Sequence, residues 1–211
     1  PSDHAVLENI LLGLFDEEDI SDEITILQPL RDATEQEAIK AFGGWYKVFE
    51  YCRSSDFRGA FQDVQYLVIQ IDTDVSEEIH YDVKQTDEDG IKLSPEKLIM
   101  KVKDKFSAII TSAFGEAFFH SIKERLLFAI SVNEIECWLL PLYYTDKTKM
   151  ASNNCDYKLH QKAGAFSKEY RAYSRISKNY QKAKILKKSY PDNPSFRIFI
   201  EDILSKDITL D

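Results

Sequence analysis

Tyr66-Leu67-Val68-Ile69-Gln70-Ile71-Asp72-Thr73-Asp74 is a run of strand-forming residues that closes on two carboxylates. Branched and aromatic side chains suit a pleated, half-buried surface, so residues 66–71 are expected as a strand. Side chains on a strand alternate between its faces. Asp72 and Asp74, spaced i, i+2, are therefore expected to project together where the strand runs out into a loop. In an open α/β sheet that edge is where ligands bind. Two acids held that close disfavour each other's ionised form unless a cation or proton lies between them. Donor sets made only of oxygen suit a hard ion such as Mg²⁺.

On the amino-terminal side, Pro1-Ser2-Asp3 reads as a helix start, and Val6, Leu7, Ile10, Leu11 and Leu14 recur at the helical period. An acidic turn from Asp16 to Asp22 closes that helix. Ile24-Thr25-Ile26-Leu27 reads as a short buried strand stopped by Pro29. A helix follows from about Thr34 to Cys52, interrupted early by Gly43-Gly44.

On the carboxyl side, Glu77 to Leu93 is polar and holds the turn Asp87-Glu88-Asp89-Gly90. Ser94-Pro95-Glu96 then supplies a capping serine, a first-position proline and a first-turn acid for a helix reaching Phe114. Glu124 to Val132 reads as the next buried strand, and Asn133-Glu134-Ile135-Glu136 opens a helix that buries Trp138, Leu139 and Leu142. Residues 145–156 are a polar loop, 158–188 one or two basic helices, 190–194 a break, and 196–204 a closing helix. Alternating strands and helices predict an α/β fold. Its strands at 24–27, 66–71 and 124–132 are expected side by side in a mainly parallel sheet with helices on both faces. Residues 1–144 are expected as that domain and 145–211 as a basic helical extension.

At 211 residues with 44% hydrophobic content the chain has ample material for a core. It has no apolar run near the ~20 residues of a membrane span, and its first residues show no basic-then-apolar signal pattern. Cys52, Cys137 and Cys155 are odd in number and lack CxxC spacing. That argues against a disulfide framework or a zinc site and for a reducing, cytoplasmic setting. The net charge of −9 hides a split. Residues 158–188 hold ten Lys/Arg and one acid, Glu169, a balance of +9 that leaves −18 for the remainder. A basic segment on an acidic body suits a metal site with a polyanion-holding arm, and equally a solvated helix packed on an acidic domain.

Arg171, Arg175, Lys178 and Lys182 fall at i, i+4, i+7 and i+11, one stripe of a helix, beside an apolar stripe of Tyr173, Ile176, Tyr180 and Ala183. The basic stripe can hold phosphates or face solvent; the tyrosines read as core. Glu134 and Glu136 follow the strand at 124–132 and are expected at the same sheet edge as the aspartates, as metal contacts or as helix-dipole partners. Gly43-Gly44 permits a close backbone approach to phosphate or simply kinks a helix.

Asp72-Thr73-Asp74-Val75 fits the DxDx[TV] strand end of haloacid-dehalogenase phosphatases, although there the motif closes the first strand of the core. The wider pattern resembles the Toprim domain of topoisomerases, bacterial primases and overcoming-lysogenization-defect nucleases. Pro1-Ser2-Asp3 is similar to the remainder of an EGxSD motif, and the chain departs from the family there, since the motif's glutamate is absent from residues 1–211. Gly43-Gly44-Trp45-Tyr46-Lys47-Val48 is similar to the family's middle motif, and Asp72 with Asp74 to its DxD strand end. Asn133-Glu134-Ile135-Glu136-Cys137-Trp138-Leu139-Leu140 resembles a helix of small Toprim-like proteins found in phage-defence or mobile-element gene sets.

The resemblance covers about residues 1–144 and implies Mg²⁺- or Mn²⁺-dependent phosphodiester cleavage. It implies Asp72 and Asp74 as catalytic metal ligands, Asp3 as the holder of a second ion, and Lys47 or a lysine of the basic segment neutralising charge. Glu136 is a further expected ligand from its place after the strand at 124–132. Arg171, Arg175, Lys178 and Lys182 are the expected contacts to DNA or RNA, and a protein partner such as an ATPase is expected to select the target. A non-catalytic scaffold and a small-molecule phosphohydrolase are the alternatives.

Overall fold

A computed structural model of the chain describes residues 2–15, 20–27, 44–206 and 208. In chain order these form α1 (Ser2–Phe15), α2 (Ile20–Glu23), α3 (Gly44–Tyr51), α4 (Ser55–Ala60), β1 (Leu67–Asp72), α5 (Pro95–Phe114), α6 (Glu116–Ile122) and β2 (Leu126–Ser131). There follow α7 (Glu136–Tyr143), α8 (Cys155–Ala163), α9 (Tyr170–Ser177), α10 (Ala183–Ser189) and α11 (Pro194–Ser205), with short 3₁₀ turns between them. The fold is α/β, mostly helical, with a small two-stranded parallel sheet. Contacts group the chain into two compact units: Pro1–Leu30 with Asn133–Asp211, and Arg31–Val132. A boundary after residue 144 therefore does not follow the packing, because α1 packs on α9 and α10 of the C-terminal segment.

The unit of residues 31–132 is built on the β1–β2 pair, in register from Leu67 opposite Leu126 to Asp72 opposite Ser131. Leu67, Ile69 and Ile71 are buried while Val68, Gln70 and Asp72 are half-buried, the period-2 pattern of a strand with one covered face. In β2 every residue but Phe128 is buried, as parallel strands covered on both faces require. The crossover helix α5 starts as expected: Ser94 Oγ accepts from the Lys97 N–H, and Pro95 occupies the first turn. It stops at Gly115, whose φ of 84° is left-handed, with its N–H donating to Thr111 O. Its buried stripe of Leu98, Ile99, Val102, Phe106, Ile109 and Ile110 carries the packing. Burying each such side chain stabilises by roughly 1.5–3 kcal/mol.

Ile24-Thr25-Ile26-Leu27 is not a strand: these residues have no ladder, and none is fully buried. A strand needs a hydrogen-bonded neighbour, and among the described residues this segment has none; propensity alone does not make one. Of the helix expected over residues 34–52, Gly44–Tyr51 is observed, and residues 34–43, including Gly43, lie outside the described residues.

In the other unit α1 lies against α9 and the turn at 178–181. Asn9, buried in that contact, donates to Ser174 O at 2.9 Å and to Ser177 Oγ at 2.7 Å, and accepts from Gln181 Nε2 at 2.7 Å. Gly13 approaches the Tyr180 backbone so closely that a Cβ would stand 1.8 Å from its carbonyl oxygen. Trp138 stacks on Phe196 and Phe199 and donates to Ser195 Oγ at 2.8 Å. Asn193 caps α11 through the Ser195 and Phe196 N–H groups, so the sequence break at 190–194 ends in a helix start. Cys137 and Cys155 are joined by a disulfide, and Cys52 is free and buried. The expectation of no disulfide is corrected: α7 packs on α8, which brings together cysteines 18 residues apart. The cysteine count thus no longer argues for a reducing compartment. No helix among the described residues is long and apolar enough to cross a membrane.

Candidate metal and nucleic-acid site

The last rung of the parallel ladder joins the Thr73 N–H to Ser131 O at 3.1 Å, and the chain then turns sharply. Ser76 N–H donates to Thr73 O, and the returning Val83 N–H donates to Ser76 O at 2.8 Å. His80 and Asp82, both at positive φ, bracket Tyr81 and turn its ring inward. Tyr81 is fully buried against Trp45, Phe49 and, through Phe49, Phe106. Its hydroxyl donates to Asp72 O at 3.0 Å, and Gln85 Nε2 donates to Thr73 O at 2.7 Å. An aromatic core thus fixes the backbone that carries both aspartates.

Asp72 is the final residue of β1, half-buried, its carboxylate accepting from Gln70 Nε2 at 3.0 Å. Asp74 is exposed and lies beyond the strand, in the turn, where Oδ1 accepts from the Val75 N–H at 3.0 Å. The pleat that was expected to aim both acids together therefore ends at Asp72, and the turn sets the direction of Asp74. Both acids nonetheless lie near the Tyr81 hydroxyl. Burial first, then the charges of Asp72 and Asp74, push that phenol far above its ordinary range. The buried hydroxyls of Ser76 and Ser131 have no hydrogen-bond partner among the described residues. The donor set at this strand end is hard oxygen throughout and fits an ion of the Mg²⁺ or Mn²⁺ type.

Lys47 is half-buried on α3, whose Trp45 and Phe49 make the contact with Tyr81. Two residues along a helix is a rotation of about 200°, so Lys47 is on a different stripe from the one that packs on Tyr81.

Asp3 and Glu136 belong to the unit formed by the two chain ends. Asp3 is in the first turn of α1 and accepts from Ser2 Oγ at 2.8 Å. Glu136, 4% exposed, opens α7; its Oε1 accepts from the Tyr173 hydroxyl and lies 3.4 Å from Lys168 Nζ. Burial raises the Glu136 pKa, and the Tyr173 hydrogen bond and the Lys168 charge oppose that shift. The Tyr173 phenol is pushed far up by burial, by Glu136 and, more weakly, by Asp156 and Asp3. Of these acids Glu136 alone contacts that phenol, while Asp156 and Asp3 act on it by charge, and Lys168 Nζ lies 3.9 Å from Asp156 Oδ1. A metal at Glu136 would have to displace the Lys168 ammonium.

The basic segment does not form one continuous helical stripe. α9 ends at Ser177, a 3₁₀ turn covers 178–181, and Lys182 is extended (φ −92°, ψ 107°) before α10. Arg171, Arg175, Lys178 and Lys182 are all exposed, as are Lys162, Lys168, Lys184, Lys187 and Lys188. Of these only Lys168 makes an ion pair with a carboxylate among the described residues. Tyr173, Ile176 and Tyr180 are buried as core, the two tyrosine hydroxyls bonded to Glu136 and to Trp138 O.

Sequence reasoning missed Tyr81 and Gln85, and the contacts that Lys168 and Tyr173 make with Glu136. The first two follow the DxD pair within a dozen residues, and the signal was present as an aromatic inside a polar segment. Lys168 and Tyr173 meet Glu136 only through tertiary packing. Comparisons with protein-family models, curated proteins and solved structures find no match to this chain.

Proposed function

We propose that the chain is a metal-dependent nuclease with a Toprim-like core, cleaving phosphodiester bonds of DNA or RNA. The observation that carries this reading is the pair Asp72 and Asp74 at the carboxyl end of a parallel strand, on a backbone tied down by Tyr81 and Gln85. In this reading the two carboxylates hold Mg²⁺ or Mn²⁺, which polarises the phosphate, positions water and stabilises the leaving oxygen. Asp3 is a further ligand that the family resemblance nominates, and Glu136 one that its place after the strand at 124–132 nominates, only if Lys168 withdraws. Lys47 is nominated by the resemblance to neutralise charge. The exposed cations at Arg171, Arg175, Lys178 and Lys182 hold the phosphate backbone. A protein partner such as an ATPase selects the target in a phage-defence or mobile-element setting in the cytoplasm.

The test is incubation of the chain with labelled single- and double-stranded DNA and RNA, with Mg²⁺, with Mn²⁺ and with chelator. Metal-dependent cleavage supports the reading. Binding without cleavage leaves the scaffold alternative, and hydrolysis of small phosphate esters alone leaves the phosphohydrolase.

A further inference from the structure

Glu134, Cys137 and Cys155 each offer one ligand atom, and the three atoms lie within 4.8 Å of one another. The grouping is built into the backbone. The Cys137 N–H donates to Glu134 O at 3.0 Å, closing a single turn that carries a carboxylate and a sulfur three residues apart. Such a turn sets side chains i and i+3 on one side, the arrangement by which x₂-spaced ligand pairs grip a metal. Cys155 is the first residue of α8 and Cys137 lies in the first turn of α7. A helix N-terminus favours the thiolate form of a cysteine. Asn133 and Asn154, at φ 66° and 49°, stand immediately before Glu134 and Cys155 and set their direction. Asn133 Nδ2 donates to Ser152 O, and the Asp156 N–H donates to Glu134 Oε1 at 2.8 Å, tying the two turns together. Both sulfurs are fully buried.

We propose that, once reduced, this cluster is a site for one borderline-soft divalent cation of the Zn²⁺ type, with two thiolates and one carboxylate as ligands. The disulfide is the closed state of the same site. Opening it requires an external dithiol. One thiolate of the dithiol attacks a sulfur, the Cys137–Cys155 bond breaks, and the dithiol leaves as its own disulfide, having supplied two electrons. The cation then displaces two protons from the cysteine thiols to solvent. Exchange with an oxidised dithiol runs the steps in reverse: the two thiolates give up two electrons, the Cys137–Cys155 bond re-forms, the oxidant leaves as its dithiol and the ion is released, so occupancy reports redox state. The site is independent of Asp72 and Asp74: its soft sulfur donors differ from their hard oxygens, and the nuclease reading stands or falls without it.

The experiment uses the full chain and Co²⁺ as the probe. As isolated in the disulfide form, thiol titration under denaturing conditions should count one thiol, Cys52. After dithiol reduction and anaerobic desalting it should count three. The reduced chain should bind one Co²⁺ with thiolate-to-cobalt absorption in the near ultraviolet, displaced by equimolar Zn²⁺, and the oxidised chain should show no such band. Cys155→Ser should weaken Co²⁺ binding by about 100-fold and Glu134→Gln by about 10-fold, with unchanged circular dichroism. A reduced chain without the thiolate band overturns the proposal. So does Glu134→Gln that folds and binds Co²⁺ as tightly as the parent, which would leave only an oxidisable cysteine pair.

Discussion

The two units place their charged groups in opposite ways. In residues 31–132 the acids of interest stand at a strand end. Asp72 is half-buried and accepts from Gln70 Nε2, and Asp74 is exposed and accepts from the Val75 N–H. In the unit of the chain termini the acid is interior. Glu136 is held by Tyr173 and Lys168 inside the protein, while the cations of 162–188 are turned outward. A carboxylate whose counter-charge comes from its own chain has little left for a ligand. Asp72 and Asp74 differ from Glu136 in exposure: one is half-buried and the other exposed, where Glu136 is 4% exposed. The contrast makes Asp72 and Asp74 the stronger candidates for an external cation, and it assigns Glu136 mainly to structure.

The largest expected effect on this contrast is at Gly13. In Gly13→Ala the new Cβ collides with the Tyr180 carbonyl, and the neighbour is backbone that does not swing aside. The helical unit should lose about 3 kcal/mol or more by chemical denaturation. Hydrogen exchange in β1 and β2 should change less than that around α1 and α9. Equal loss everywhere would mean that the two units unfold as one.

Reversing Arg171, Arg175, Lys178 and Lys182 to Glu should weaken nucleic-acid binding across sequences. If all four meet phosphates, the slope of log affinity against log salt should flatten by about 3 to 4. Their lack of carboxylate partners among the described residues means that stability should stay nearly constant. A lowered melting temperature with an unchanged slope would show that these cations serve the fold.

Tyr81→Phe keeps the ring among Trp45 and Phe49 and removes the hydrogen bond to Asp72 O. It should cost about 1 kcal/mol of stability and reduce metal-dependent activity through the misplaced strand end. Unchanged activity would break the link between the aromatic base and the aspartates.

The smallest effect concerns pH at Glu136. Its folded pKa is raised, so across the window from the ordinary glutamate range up to that raised value the folded state binds more protons than the unfolded state. Stability from this group is full below the window and is lost as pH rises through it. Glu136→Gln removes that contribution, so its stability should fall less than the parent's over the same pH rise. Parallel pH profiles would show that Tyr173 and Lys168 cancel the burial.

What was legible in the sequence was local. Leu67 to Ile71 alternate as a strand must, and Ser94-Pro95 opens α5 by cap chemistry that needs no tertiary information. Leu126 to Ser131 was legible as a doubly buried run. Ile24 to Leu27 has the same kind of composition but no neighbouring strand among the described residues, and composition does not report pairing. The grouping of α1 with α9, the bond between Cys137 and Cys155, and the Lys168–Glu136 pair join residues far apart in the chain, with no periodic signal to announce them. At the site, residue types were legible while direction was not: Asp74 obeys the turn after β1 and not the strand period.

The most direct measurement is Mn²⁺ binding followed by electron paramagnetic resonance, on the oxidised chain so that the cysteine cluster is closed. The parent should bind Mn²⁺ in competition with Mg²⁺, and Asp72→Asn and Asp74→Asn should each lower the affinity by about 10-fold or more while the circular dichroism stays unchanged. Equal Mn²⁺ affinity in the parent and both variants would contradict the assignment of this strand end as the metal site.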